Sequence, residues 1–362
     1  MFVVVSISLL ALILTLLESR KMLKKGMTIG FILVTVLGCI HYDYGNDYMA
    51  YYDMYKTIVS IKFNLIDVIS GEVHKEPLWA LLCYLSKPFG GFFMMVAVLN
   101  IIQNVLVYKI IKYNVELKWW PLAVLIYLFS ASYYVLNFSM MRQGLVICIF
   151  LGVWPWIRDR KWLRTVLILL LCSAIHMSAL ILLPFAFWGF VPIKKGWVAV
   201  LVYVGFYCLI WTSGEFMNNT LSLFLSFDGF EEYLISYGKD KANNTYGMGF
   251  VMNMIPFILS LAYIVAERPS KSDKLVVALS IISFMIAPFS EIIPLVGRVG
   301  MYFGVYQIVA VPKIYSSVRN KYVALVLLCI FILMTMYGYF GFFSSNIFRE
   351  SYATFHTIFS VM

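Results

Sequence analysis

The sequence predicts an all-α polytopic integral membrane protein, and three observations carry that prediction. Of its 362 residues, 62% are hydrophobic and only 13% are charged, where an ordinary soluble domain is roughly a quarter charged. The apolar residues fall into long runs such as Val166–Pro184 and Val323–Tyr337, too long and too numerous for a soluble core. The basic residues gather in short polar connections between those runs. The same composition excludes a disordered chain, a collagen-like repeat and a disulfide-stapled secreted domain.

The charge is a threading signal. The chain carries 28 basic and 18 acidic residues, a net +10. Nineteen of the basic residues sit in short connections around Arg20–Lys25, Lys109–Lys118, Arg158–Arg164, Lys194–Lys195, Arg268–Lys274 and Lys313–Lys321, beside only five acids. Connections of that kind stay cytoplasmic, so the excess speaks for topology and not for a nucleic-acid partner. The first run, Phe2–Leu17, has no basic residue ahead of it and four behind it. It reads as a retained membrane helix with its N-terminus outside, not as a signal peptide.

A bilayer crossing needs about 20 residues. On that measure, spans are expected near 2–18, 27–41, 91–110, 119–136, 140–157, 162–175, 177–190, 197–212, 249–266, 274–290, 295–312 and 321–340. Twelve crossings put every basic connection on one side. Pro77–Phe89 is apolar but too short to cross, so it is expected to form a re-entrant or interfacial helix. Two hydrophilic loops, about 41–76 and 212–248, hold six and five acids respectively and fall on the outer side. Their half-apolar stretches Met54–Ile69 and Leu221–Tyr237 have the makings of helices lying on the membrane face. The whole chain, 1–362, is expected to form one transmembrane domain.

Ionisable groups at the mouths of membrane spans are costly and mark candidate function. On the outer side these are Asp47, Glu76, Arg142, His176, Glu291 and Arg298. Arg142 lies in Met141-Arg142-Gln143-Gly144 at the outer start of a span, where unsatisfied helix N–H groups add to the guanidinium charge. That combination suits a phosphate or diphosphate, with Gln143 beside it; the bland reading is an arginine snorkelling to lipid headgroups. Arg298, in Gly297-Arg298-Val299-Gly300-Met301-Tyr302, is a second such arginine. Glu291, about two turns earlier, would make it a structural ion pair instead.

His176 breaks an apolar segment as Ile175-His176-Met177-Ser178-Ala179, at the turn of an outward hairpin. It is either a hydrogen-bonded interface residue or a general base. Asp47, in Gly45-Asn46-Asp47-Tyr48, and Glu76, opening the short segment, are the carboxylates able to take a hydroxyl proton; the bland role for Asp47 is a helix cap. Tyr48 and Tyr302 complete the candidates. The six cysteines lie in or beside apolar runs with no CxxC pair and read as core residues. No metal-ligand spacing, phosphate loop, dinucleotide fingerprint, GxSxG elbow or DxD pair is present, so no metal or cofactor is expected.

Gly-x-Asp-Tyr-x-x-Tyr at 45–51, the glutamate at 76, Met141-Arg142-Gln143-Gly144 and Ile175-His176-Met177-Ser178-Ala179 with Leu183-Pro184 resemble, in order and spacing, the EpsG family, which belongs with the Wzy-type polymerases. The resemblance extends over roughly 40–310; one departure is Glu76-Pro77-Leu78 in place of the commoner Glu-x-Gly-aromatic. It implies a metal-independent glycosyltransferase of the bacterial inner membrane. Such an enzyme joins undecaprenyl-diphosphate-linked oligosaccharide repeat units, as donor and acceptor, on the outer face during O-antigen or exopolysaccharide synthesis. A chain-length regulator and a flippase are the further partners it implies. In that reading Arg142 and Arg298 hold the leaving diphosphate, and one of His176, Asp47 or Glu76 activates the attacking hydroxyl. The rivals are a lipid-linked-oligosaccharide flippase or other transporter, and a membrane O-acyltransferase acting on the polysaccharide. A transporter would place ionisable groups in mid-span with internal repeats; an acyltransferase would need a cytoplasmic acyl-CoA route.

Overall fold

The computed structural model describes residues 1–190, 196–212, 248–266, 269–290 and 294–360. The chain divides into two compact units, Met1–Phe190 with Leu325–Met362, and Val191–Ala324.

The first unit is built on α1 (Phe2–Ser19), α2 (Gly26–Ile40) and α6 (Gly91–Asn114). On α6, Phe92, Met95, Val96, Leu99, Asn100, Gln103, Asn104 and Val107 are buried, the three-and-four spacing of one helical face. Three polar residues belong to that face. Asn100 and Asn104 satisfy their amides on the backbone carbonyls of Val96 and Asn100, and Tyr127 Oη donates to Asn104 Oδ1 at 2.9 Å. Gly38 lets α2 approach, because a Cβ there would lie 2.3 Å from Asn100 Oδ1.

Between α2 and α6 lie three short helices: α3 (Tyr48–Ser60), α4 (Leu65–Ser70) and α5 (Pro77–Ser86). The ten residues of α5 reach about 15 Å, half a hydrocarbon core, as expected of a segment that does not cross. Both of its ends are tied down. At the start, Leu78 N–H and Trp79 N–H donate to Ala174 O at 2.9 and 3.3 Å; at the end, Tyr84 Oη donates to Ile61 O at 3.2 Å and Lys87 Nζ to Val59 O at 2.9 Å. A cavity of about 690 Å³ opens there, lined by Ile61, Phe63, Leu81, Tyr84 and Leu85, with Lys62 and Lys87 beside them.

Beyond α6 the elements are shorter than expected. α7 is only Trp120–Phe129 and α8 Met141–Gly152, followed by a one-turn α9 (Trp154–Arg158). The expected span at 119–136 therefore stops at Phe129. The chain from Tyr133 to Ser139 is irregular or 3-10 and buried throughout, which is where non-helical backbone is tolerated at depth. Tyr134 closes it by donating to Val34 O at 2.7 Å. α10 (Trp162–Ser173) then turns at His176 into a 3-10 segment, Met177–Phe190. At about 2 Å rise per residue, those 14 residues cover roughly 28 Å, so the tighter winding lengthens a run that is short for an α-helix.

α16 (Lys321–Ser344) is apolar along its length and only 6% of its best membrane-length window is buried. The chain after it returns to the start. The Met1 amine donates to the carbonyls of Tyr352 and Ala353, both at 2.9 Å. His41 and Tyr42 (β1) pair antiparallel with Thr357 and His356 (β2). These contacts bring Met1, the end of α2 and the chain around 352–357 together. Among the described residues three helices, α1, α6 and α16, are long and apolar enough to cross a membrane; α2, α8, α10 and others are shorter.

The second unit holds α11 (Gly196–Thr212), α12 (Met248–Val265), α13 (Lys271–Ser290), α14 (Pro294–Gly304) and α15 (Gln307–Ser317). The expected span at 295–312 is broken at Val305-Tyr306 into α14 and α15. Its basic connection carries an ion pair, Lys313 Nζ to Asp273 Oδ1 at 2.5 Å. Most of the expected loop at 212–248, with its helix at Leu221–Tyr237, lies outside the described residues.

Candidate functional site

Three of the sequence candidates meet. Glu76 caps the start of α5, Arg142 begins α8 and His176 forms the α10 hairpin. Glu76 is 6% exposed, and a charge so placed needs partners. It has three. One oxygen, Oε2, accepts from Arg142 Nη1. The other, Oε1, accepts from His176 Nδ1 at 3.1 Å and from the Met177 backbone N–H at 2.9 Å. Burial alone would push the Glu76 carboxyl up. The hydrogen bond from His176, the Arg142 charge and the Met177 N–H outweigh it and hold the group below its ordinary value,.

Two aromatic residues wall the arginine. Its guanidinium lies 5.2 Å from the ring centre of Tyr51 and 5.9 Å from that of Trp79, and Nε donates to Tyr51 Oη at 3.4 Å. Burial raises the Tyr51 phenol, with the Arg142 charge opposing, so this hydroxyl stays protonated.

The hydrogen bond at Nδ1 decides what His176 can do. A carboxylate accepts only, so Nδ1 carries a proton, and in the neutral ring Nε2 is then the lone pair. The ring is about a quarter exposed. A neutral imidazole so oriented is equipped to take a proton, beside a cation equipped to hold an anion.

Glycines explain why the other motifs look as they do. Gly45 adopts φ +119°, and a Cβ there would lie 2.8 Å from Ser139 Cβ; at Gly144 a Cβ would lie 2.5 Å from Asn137 Oδ1. Both keep the Asp47 loop and the Arg142 helix start in place. Asp47 opens α3 without a side-chain capping bond, and its N–H donates to Ser139 Oγ at 3.0 Å. Its carboxylate pairs with no cation among the described residues. Tyr48 is fully buried with its hydroxyl on His41 O at 3.2 Å, a packing position. Gln143 is buried, 3% exposed. Arg298, half-buried, and Tyr302, fully buried, belong to α14 of the second unit; Glu291 lies outside the described residues.

Sequence reasoning passed over Tyr51, Trp79 and His74. The first was visible inside Gly-x-Asp-Tyr-x-x-Tyr, one turn after Asp47, as the residue that reaches across to Arg142. His74 lay two residues before Glu76 in a hydrophilic loop, with no apolar context to single it out. His41, by contrast, is a core histidine: it is fully buried, Nδ1 meets Gly38 O at 2.6 Å, and burial pushes it down to about 4. Among the described residues no group of histidines, cysteines and carboxylates is placed to hold a metal ion.

These features define a class: a membrane protein of many apolar helices, in which an arginine and a histidine share one buried carboxylate. The EpsG family model matches residues 25–355, nearly the whole chain. The chain belongs to the EpsG family, whose members are Wzy-like polymerases. No curated protein and no solved structure matches it.

Proposed function

We propose that this protein is a polysaccharide polymerase that joins undecaprenyl-diphosphate-linked oligosaccharide repeat units on the outer face of the bacterial inner membrane. The observation that carries the reading is the division of Glu76 between Arg142 and His176, which sets a diphosphate-binding cation beside an oriented base. Family membership supports a polymer-forming membrane enzyme.

The step is a displacement. The acceptor sugar hydroxyl gives its proton to His176 Nε2 while its oxygen bonds to the donor's anomeric carbon. The carbon–oxygen bond to the diphosphate breaks, and undecaprenyl diphosphate leaves with the electron pair. The Arg142 guanidinium holds the charge that develops on the leaving oxygens. Arg298, in α14, is a separate diphosphate-binding candidate. The apolar cavity at the far end of α5, with Lys62 and Lys87 beside it, suits the first isoprene units of the lipid. A chain-length regulator and a flippase are the partners such an enzyme would meet. The transporter and acyltransferase readings gain no specific observation.

The test is direct. Purified protein in proteoliposomes, given its lipid-linked repeat unit, should produce a ladder of lengthening products on a gel. Repeat units carried across the bilayer without extension would replace this reading with the transporter. For orientation, a cysteine at Lys75 should react with an impermeant thiol reagent in spheroplasts and one at Ser270 should not; the reverse would place the site in the cytoplasm.

A further inference from the structure

The carboxylate that organises the site is itself anchored. Glu76 has the extended backbone (φ −111°, ψ 91°) that a following proline favours. Its N–H donates to Nδ1 of His74 at 3.1 Å. A bond from the N–H of residue i+2 to the side chain of residue i is the closure an Asx turn makes with an oxygen. Here an imidazole nitrogen accepts instead, so Nδ1 must be unprotonated and the ring proton sits on Nε2.

His74 is half-buried, and the charged groups that act on it are Arg142 and Glu76, with Glu72 and Lys75 exposed on either side in sequence. Burial and then the Arg142 charge lower its pKa, more than Glu76 raises it. The neutral ring is therefore the favoured form at this position, as the hydrogen bond requires.

We propose that His74 is a positioning residue: its neutral imidazole pins the Glu76 backbone so that the two carboxylate oxygens reach Arg142 and His176 together. Protonated, Nδ1 becomes a donor facing a donor, the bond is lost and Glu76 is released. The role rests on the polymerase reading only for its rate readout. Asparagine at 74 restores the closure, since its Oδ1 takes the place of Nδ1 and does not titrate.

The experiment compares wild type, His74→Asn and His74→Ala. The chain has four histidines, so nitrogen NMR of the labelled protein in nanodiscs resolves each tautomer. In wild type His74 should carry its proton on Nε2 and His176 on Nδ1. His74→Asn should keep His176 so, while His74→Ala should let it drift to the Nε2–H form that free imidazole side chains prefer. Extension should fall by about tenfold or more in His74→Ala, the scale of a misplaced catalytic group, and recover within about threefold of wild type in His74→Asn, the scale of one neutral hydrogen bond. On the acid side, where both imidazoles of wild type must stay neutral, His74→Asn should lose one proton's worth of slope. Wild-type rate and an unchanged His176 tautomer in His74→Ala would overturn the proposal. Should that variant not fold, a wild-type His74 protonated on Nδ1 overturns it equally. A wild-type protein that extends nothing would overturn the polymerase reading alone, because the tautomers decide this one.

Discussion

Two short helices on the site face each open on a carboxylate, and the two are treated differently. At the start of α5, Glu76 is buried and answers three donors. At the start of α3, Asp47 caps nothing with its side chain and pairs with no cation among the described residues. One carboxylate is spent on architecture; the other is uncommitted. A sequence reader ranks them together as candidate bases. The difference teaches that the buried one works through its neighbours, by orienting His176 and anchoring Arg142, and is a poor proton acceptor because its negative form is the one being stabilised.

The largest effect expected from this contrast is at Arg142. Arg142→Ala should abolish extension in a gel assay, and Lys should rescue poorly because it lacks the planar fork. It should also destabilise the protein by about 3–5 kcal/mol, the scale for breaking a buried pair, since Glu76 is left buried and charged. Adding Glu76→Gln should recover the thermal stability and none of the activity. Stability unchanged in the single variant would mean that the α5 carboxylate is not held as described.

Glu76→Gln alone keeps the shape and removes the charge. Extension should drop by about 10–100-fold, the usual cost of losing a group that orients a reactive imidazole, read from initial rates. Asp47→Asn should cost less than tenfold, the scale of one neutral hydrogen bond at most. If the order of these two is reversed, Asp47 is the base and the contrast collapses.

A smaller effect is set by pH. His41 and His74 have lowered pKa values in the folded state against an ordinary 6.5, so the unfolded chain takes up protons that the folded one refuses. Their contribution to stability is complete above 6.5 and is lost as pH falls, down to about 4 for His41,. Glu76 adds its own loss lower down, from 4.5 downward, because its folded pKa is also lowered,. Thermal melts in detergent should show a Tm falling steadily below about pH 6.5. Glu76→Gln should flatten only the lowest part of that curve.

How much of this was legible in the sequence differs by element. α1, α6 and α16 were plain because long apolar runs have one solution in a bilayer. The break of α7 at Phe129 was not, because Tyr133–Phe138 is as apolar as a helix and it is held by the Tyr134 hydroxyl on the distant Val34 carbonyl. Arg142, His176 and Glu76 stood out as costly charges near membrane spans. Their meeting did not, because 66 residues separate Glu76 from Arg142 and 100 separate it from His176. His74 carried no sign at all, since its role is a backbone bond.

His176→Gln in the purified extension assay tests the central claim most directly. Glutamine keeps a hydrogen-bonding group near Glu76 and cannot accept a proton near neutral pH. With His176 as the base, the rate falls by about 10²–10⁴-fold while the lipid-linked substrate still binds. A variant that keeps more than about a tenth of the wild-type rate, as loss of a single neutral hydrogen bond allows, would show that the proton goes elsewhere and that Glu76 orients a binding group.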